Sequence, residues 1–281
     1  MIDLHVHSTF SDGSLTPSEL VVLANKIPLK AMALTDHDTV DGIDEFLNAA
    51  KDTGLFVIPG IELSSALNGK DVHIVGLFVN HKDKALGEKL ITFRNARNTR
   101  NAKMITLMRE HGFDITQDIV DKRFPDSVIT RAHYAVWMVE KGYVKDKNEA
   151  FDKYLNPCCP CYLPKKNITP MEAIDTIHDA GGIAIIAHPL LYKLTDSELD
   201  NLVRSLKEYG LDGLEAVYSA NKWTDESRMR ALAKKYDLIL SGGSDFHGAA
   251  KPTLSLGTGY GDLNVPDEIC DELKKYKKRA L

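Results

Sequence analysis

Two imidazoles and a carboxylate stand together at the start of the chain, in Met1-Ile-Asp-Leu-His-Val-His-Ser-Thr-Phe-Ser-Asp-Gly13. His5 and His7 are one residue apart in a short apolar run, and in a strand side chains at i and i+2 leave the same face. Both rings can therefore reach one cation, with Asp12 following on the loop beside Gly13. The pairing recurs near the other end in Ser244-Asp-Phe-His247, where Asp245 and His247 are again two apart. Between these ends lie His37 in Asp36-His-Asp38, Glu62 after Pro59-Gly60, His73, and His188 before Pro189. Mixed imidazole and carboxylate donors suit Zn, Mn or Fe, whereas thiolates suit softer ions and all-oxygen sites Ca or Mg. The donors outnumber the ligands of one tetrahedral ion. They point to a cluster in which a carboxylate bridges ions about 3.5–4 Å apart, as in two-metal phosphoester hydrolysis.

These donors must be carried by a scaffold that gathers them. Strand-like segments at 2–6, 31–35, 55–58, 72–79, 183–187, 213–217 and 238–241 alternate with helical ones. Thr16-Pro-Ser-Glu19 and Thr169-Pro-Met-Glu172 are helix starts, each with an N-cap Thr, a Pro in the first turn and a Glu closing a capping box. Further helices are expected at 42–53, 195–209, 224–236 and from Pro266, with Asp38 and Asp41 as candidate caps for the one near Gly42. Strands separated by helices imply a parallel sheet. The titratable residues fall at the C-terminal ends of separate strands, where a (β/α) barrel places its active site. Seven strands predict a barrel one short of eight; an open doubly wound sheet is the alternative. From 83 to 165 the pattern is helical throughout, which divides the chain into a barrel of residues 1–82 and 166–281 and an all-helical insertion of 83–165 that roofs the barrel mouth.

The 281 residues suit one large α/β domain with an insertion. A net charge of −5 provides no basic footprint for duplex DNA. No apolar run approaches the roughly 20 residues of a membrane helix, and the start has no signal-peptide pattern, so the expected location is cytoplasmic. Three of four cysteines crowd into Pro157-Cys-Cys-Pro-Cys161, with Cys270 far away. A structural zinc site needs a second ligand pair, so these read as reduced thiols on a Pro-rich loop. Arg94, Arg97, Arg100 and Lys103 recur every three residues along one helix face; such a run reads as a solvated face, or as a guide for an anionic substrate. His81, His111 and His178 fit no metal pattern and are expected on the surface.

Taken together, Asp3-Leu-His-Val-His7, Thr35-Asp-His-Asp38, Gly60-Ile-Glu62, His73-Ile-Val-Gly76, Ala187-His-Pro189 and Gly242-Gly-Ser-Asp-Phe-His247 resemble the PHP (polymerase and histidinol phosphatase) family. The resemblance covers nearly the whole chain, including Arg131-Ala-His133 in the helical block. It is greatest to the small stand-alone phosphoesterases of the family, whose characterised relatives act on nucleoside 3′,5′-bisphosphates and short RNA.

The resemblance implies an α/β fold, a distorted (β/α)7 barrel, holding two or three divalent ions (Mn, Zn or Fe). His5, His7, Glu62 and Asp245 would take the first ion. Glu62, His73 and His188 would take the second, and Asp12, His37 and His247 the third. A hydroxide held between two ions would attack phosphorus in line. Asp36, with Asp38, would orient ligand histidines or accept a proton. Arg131 would hold a substrate phosphate, and His133 would contact it and protonate a leaving oxygen. Lys165, Tyr218 and Ser219 are further candidates for substrate contacts. The expected substrate is a small phosphorylated molecule, a nucleotide or an RNA 5′ end. Histidinol-phosphate phosphatase and an inactive metal-binding scaffold are the alternatives.

Overall fold

The computed structural model describes residues 1–164 and 168–279. Seven strands follow one another in a single sheet: β1 (Ile2–Val6), β2 (Ala31–Leu34), β3 (Phe56–Leu67), β4 (Lys70–Leu77), β5 (Ile183–Ile186), β6 (Gly213–Tyr218) and β7 (Ile239–Gly243). Each pairs with its neighbours in sequence. The last returns to the first: His7 N–H donates to Phe246 O at 2.9 Å, and Asp245 N–H to His5 O at 2.8 Å. The sheet is a nearly closed seven-stranded barrel, as expected.

Helix α1 (Pro17–Lys26) follows β1 and α2 (Ile43–Ala49) follows β2. Between β4 and β5 come α3 (Lys84–Glu110), α4 (Gln117–Arg123), α5 (Arg131–Glu140) and α6 (Lys147–Ala150), the last continued by a π-turn over Phe151–Leu155. Helix α7 (Pro170–Asp179) leads into β5, α8 (Asp196–Tyr209) and α9 (Asp225–Lys235) follow β5 and β6, and α10 (Asp267–Arg279) ends the described chain. Both expected capping boxes form, on Thr16 with Glu19 and on Thr169 with Glu172.

The sheet departs from the expected all-parallel arrangement. β3 does not stop at Pro59-Gly60 but runs on to Leu67, turns through Asn68-Gly69, and pairs with β4 antiparallel from Gly60↔Leu77 to Leu67↔Lys70. β4 is also antiparallel to β5. Both turn residues have positive φ (51° and 79°), the requirement of a two-residue hairpin that follows the strand twist, and Asn-Gly meets it with least strain. Glu62 therefore lies within a strand and not on a turn.

Ile2 and Leu4 pack with Ala33, Ile58, Val75, Ile185 and Val217 to fill the barrel interior, and Ile269 and Leu273 of α10 join them. Ile61, Leu63, Ile74, Ala184 and Leu214 form a second layer against α7 and α8. The helices between β4 and β5 have a cluster of their own around Met104, Met108, Tyr134, Trp137 and Met138. Burying such side chains contributes about 1.5–3 kcal/mol each before the entropy of ordering them is subtracted.

Two irregularities aim the polar residues. Relative to β2, β1 carries one extra residue between Asp3 and Val6; relative to β7, β6 carries one between Glu215 and Val217. A bulge of this kind turns the side chains beyond it. It lets Leu4 face the apolar interior while His5 and His7 both meet the polar end. At the seam between β1 and β7, Gly243 leaves no room for a side chain, since a Cβ there would lie 2.5 Å from His5 N and Cβ.

Candidate metal centre

Nine side chains from the strand ends and the loops after them converge in one buried space. His5 and His7 come from β1 and the residue after it, Asp12 from the next loop, and His37 from the end of β2. Glu62 and His73 are diagonal neighbours across the hairpin, where Ser64 is the residue opposite His73; His188 follows β5, and Asp245 and His247 follow β7. His188 (φ 29°) and Asp245 (φ 57°) hold a left-handed backbone that non-glycine residues rarely adopt. Such strain persists only where the surroundings impose it.

Glu62 is at the centre. Its Oε2 lies 3.3 Å from His5 Nε2, 3.3 Å from His7 Nε2 and 3.0 Å from His37 Nδ1. Its Oε1 lies 2.8 Å from His73 Nδ1 and 2.9 Å from His188 Nε2. Asp245 Oδ1 lies 3.3 Å from His7 Nε2, and Asp12 Oδ1 lies 3.1 Å from His247 Nε2 and 3.8 Å from His37 Nε2. Four overlapping sets have the spacing for an ion: His5, His7 and Asp245; His5, Glu62 and His188; His37, Glu62 and His73; and His7, Asp12, His37 and His247. All nine residues expected to hold metal fall in these sets.

The fit to cations can be read from unmet polar atoms. His5 Nε2, His7 Nε2, His37 Nδ1, Asp12 Oδ1 and Glu62 Oε2 are all buried without a hydrogen bond. Buried polar atoms without partners are costly. Here they point at one another, so divalent ions between them would satisfy all five. Protonation is consistent with this. Burial pushes the Glu62 carboxyl up, but the surrounding His37, His73 and His5 charges outweigh it and hold it well below the carboxylate range. Asp245 is held low against burial by Lys251 and His247, and Asp12 by His37 and His247. Burial lowers His37 and His247 below the usual imidazole value.

A surrounding layer holds the donors. Glu215 Oε1 accepts from His5 Nδ1 at 2.9 Å. Tyr218 Oη and Lys251 Nζ both donate to Asp245 Oδ2, at 2.9 and 2.6 Å, leaving Oδ1 turned to the histidines. Glu215 and Lys251 escaped the sequence reading; the one available signal for Glu215 was a carboxylate inside the apolar strand Gly213–Tyr218.

Other expected residues sit differently. Asp36 reaches no histidine: its oxygens accept from Ser8 N–H (2.7 Å), Ser8 Oγ (2.6 Å) and Ser11 Oγ (2.5 Å). Since Ser11 Oγ lies 3.4 Å from His7 Nδ1, Asp36 positions the β1–α1 loop and acts on His7 through a serine. Asp38 does not cap α2, whose N-cap is Gly42. It accepts from Ser64 N–H at 2.8 Å and pairs with Arg97. One nitrogen of His133 is engaged in local structure. Nδ1 accepts from Thr130 N–H at 2.9 Å as part of a helix cap. Ser219 lines a small cavity with Asn221 and Trp223. Lys165 lies outside the described residues. His81 and His178 pair with Asp44 and Asp212, away from the cluster.

Two members of the basic run on α3 are not solvated, whereas Lys103 is exposed. Arg97 and Arg100 are each 6% exposed. Arg97 lines a cavity of about 290 Å³ together with Arg131 and with His37, His73 and His188. Arg131 Nη2 is held by Asp71 Oδ2 at 3.0 Å and its guanidinium lies over the Tyr162 ring.

A family model for the PHP domain matches residues 3–279. The chain belongs to the PHP domain family. It is 38% identical over 245 residues to a 5′-3′ exoribonuclease of Haemophilus influenzae, covering 87% of this chain and 89% of that one. It is 34% identical over 250 residues to a 3′,5′-nucleoside bisphosphate phosphatase of Chromobacterium violaceum, covering 88% and 87%. A solved Bifidobacterium adolescentis structure, assigned as a metal-dependent phosphoesterase, superposes with a TM-score of 0.85 at 30% identity, covering 97% of this chain and 94% of that one. This PHP protein is a hydrolase of phosphate esters that works with divalent metal. Among its described residues no helix is long and apolar enough to cross a membrane.

Proposed function

We propose that the protein hydrolyses nucleotides carrying two phosphates, nucleoside 3′,5′-bisphosphates or the phosphorylated 5′ end of RNA. The observation that carries this reading is the cavity of about 290 Å³ in which four metal-site residues, Asp12, His37, His73 and His188, share walls with Arg97 and Arg131. One phosphate belongs at the ions. The two guanidinia offer a separate place for a second, with the planar donor geometry that suits phosphate oxygens. The names of the two relatives agree with a substrate of this kind.

The donor set fits two or three ions, with Glu62 shared between neighbouring sites; Mn, Zn and Fe all suit these ligands. When bound, the ions would lower the pKa of the attacking water and neutralise charge on the phosphoryl oxygens. The chain's own groups do the rest. Glu215 fixes the His5 ring through Nδ1, so that Nε2 faces the cluster. Tyr218 and Lys251 hold one oxygen of Asp245 and free the other. Asp38 and Ser64 hold Arg97 in the cavity wall, as Asp71 holds Arg131. Arg97, Thr130, Arg131 and Phe151 all come from the helical block, which supports residues 83–165 as an insertion that roofs the barrel mouth. The four free cysteines support a reducing, cytoplasmic location.

The test is hydrolysis by metal-loaded protein of adenosine 3′,5′-bisphosphate, AMP, histidinol phosphate and a short RNA with a 5′ phosphate, read as phosphate released from the first three and as 5′-mononucleotide released from the RNA, with bound metal counted in parallel. Preference for the bisphosphate or RNA over AMP, with two or three ions per chain, is expected. Preference for histidinol phosphate would overturn the nucleotide reading.

A further inference from the structure

A second cavity, of about 730 Å³, adjoins the metal centre at Asp12, and Arg97 is not in its wall. Asp12 and Ala132 line both cavities and form their common wall. The floor of the second is the β1–α1 loop with Thr9 and Phe10; its roof is Phe124 and Pro125 after α4, with Val136 on α5. The volume lies in the range that holds an organic molecule of drug size. Its charge is the wrong sign for phosphate. Asp12, Glu45, Asp126 and Glu140 line it, and the one guanidinium among its described lining residues, Arg123, is already bonded to Glu140 by two contacts of 3.0 and 2.6 Å. An uncharged, partly aromatic group is the occupant this lining admits.

We propose that this cavity receives the second nucleoside of an RNA 5′ end, the one esterified to the phosphate under attack. The inference rests on the nucleotide reading and deepens it. Removing a 5′-terminal nucleotide and removing a 3′ phosphate from a bisphosphate can be the same step. Water oxygen bonds to phosphorus, the P–O3′ bond breaks, its electron pair leaves with O3′, and O3′ takes up a proton. The two reactions differ in what else the phosphorus carries: a second nucleoside in RNA, nothing in the bisphosphate. With the first nucleotide beside Arg97 and Arg131, that second nucleoside must leave the metal centre across Asp12. There it meets Phe10, Phe124, Pro125 and Val136. The carboxylates bar the next phosphate, so beyond the second nucleoside the chain turns out to solvent. One fold thereby serves a small metabolite and a polymer end, and the second cavity accounts for the difference.

The test compares kcat/KM on adenosine 3′,5′-bisphosphate, its 3′-methyl phosphodiester, and 5′-phosphorylated ApA. In the wild-type protein the dinucleotide should exceed the methyl ester about tenfold, the size of one base-packing contribution. Val136→Trp, which fills the cavity, should bring that ratio close to one and leave the bisphosphate rate within about twofold. Equal wild-type rates on dinucleotide and methyl ester would overturn the assignment, and this comparison needs no variant. So would a Val136→Trp protein that loses all three activities in proportion, because the cavity would then act through the metal centre. A wild-type protein that hydrolyses none of the three would remove the nucleotide reading itself.

Discussion

Glu215 Oε1 lies 2.9 Å from His5 Nδ1, and its other oxygen accepts the backbone N–H of His188 at 2.6 Å. One buried carboxylate thus fixes the ring of one metal-site histidine and the main chain of another, across β1, β6 and the loop after β5. Groups that orient ligands in this way typically change metal affinity by about 10–100-fold when lost. Glu215→Ala should weaken metal retention by that order, and Glu215→Gln by less, because an amide oxygen still accepts from His5. Titration of metal-loaded protein with a competing chelator measures both. Unchanged retention in Glu215→Ala would mean that His5 is held by other contacts.

Metal binding should release protons. Burial lowers the His7 pKa, but Asp245 and Glu62 outweigh it and lift the ring to about 9; His5 is raised too, burial being overcome by Glu215 and Glu62. Near neutral pH these rings carry protons that an ion must displace. Apparent affinity should therefore fall as pH drops below about 9. Calorimetric titration of the chelated protein with Mn, in buffers of different ionisation enthalpy at pH 7.5, should show release of at least about one proton per chain. No release would show rings already neutral.

The seam of the barrel depends on Asp3. It is fully buried and accepts from Ser244 N–H at 2.8 Å, Ser244 Oγ at 2.5 Å and Gly257 N–H at 2.8 Å. Asp3→Ala would leave two backbone N–H groups and a hydroxyl buried without partners, at about 1–3 kcal/mol for each unmet group. Urea unfolding should show destabilisation of a few kcal/mol. Metal loading should recover part of it, since ions bind only the folded chain. A midpoint equal to wild type would place the closure of the sheet elsewhere.

On the opposite side of the barrel, His178 Nε2 lies 2.7 Å from Asp212 Oδ2, and Tyr276 Oη of α10 donates to Asp212 Oδ1 at 2.6 Å. The hydrogen bond to Asp212 raises the His178 pKa against partial burial. Burial would raise Asp212, but its bonds to His178, Tyr276 and Ala184 bring it below the ordinary value. A raised histidine contributes stability that is complete below about pH 6.5 and is lost as pH rises through the folded value; a lowered aspartate contributes above about pH 4. The pair is strongest between those limits. His178→Ala should lose under about 1 kcal/mol at pH 5.5, given the exposure of the ring, and nothing at pH 9. Urea midpoints of both proteins at the two pH values decide it; an equal loss at both would assign the effect to packing.

The metal donors were legible because local rules place them. His5-Val-His7 needs only strand periodicity, and His188 and Asp245 follow apolar runs that can be little else than strands. The β3–β4 hairpin was missed although Asn68-Gly69 marked it, because the alternation of helices elsewhere favoured a parallel crossover. Arg97 and Arg100 read as solvated since long cations seldom sit inside. Their burial depends on Asp38 and on the Leu163 carbonyl, partners far away in sequence. His133 had the right type and place for proton transfer. Only the cap at Thr130 shows that its Nδ1 is already engaged.

The metal centre spans the seam where the first strand meets the last. His5 and His7 are made well before Asp245 and His247. A chain growing from its N-terminus can pair β1 with β2 and β3 early. It then carries half a metal site, exposed and unable to act, until β7 is released and the sheet closes. A ribosome stalled before that point holds an inert product, and one that abuts β1 to β7 delivers scaffold and hydrolytic competence in a single event.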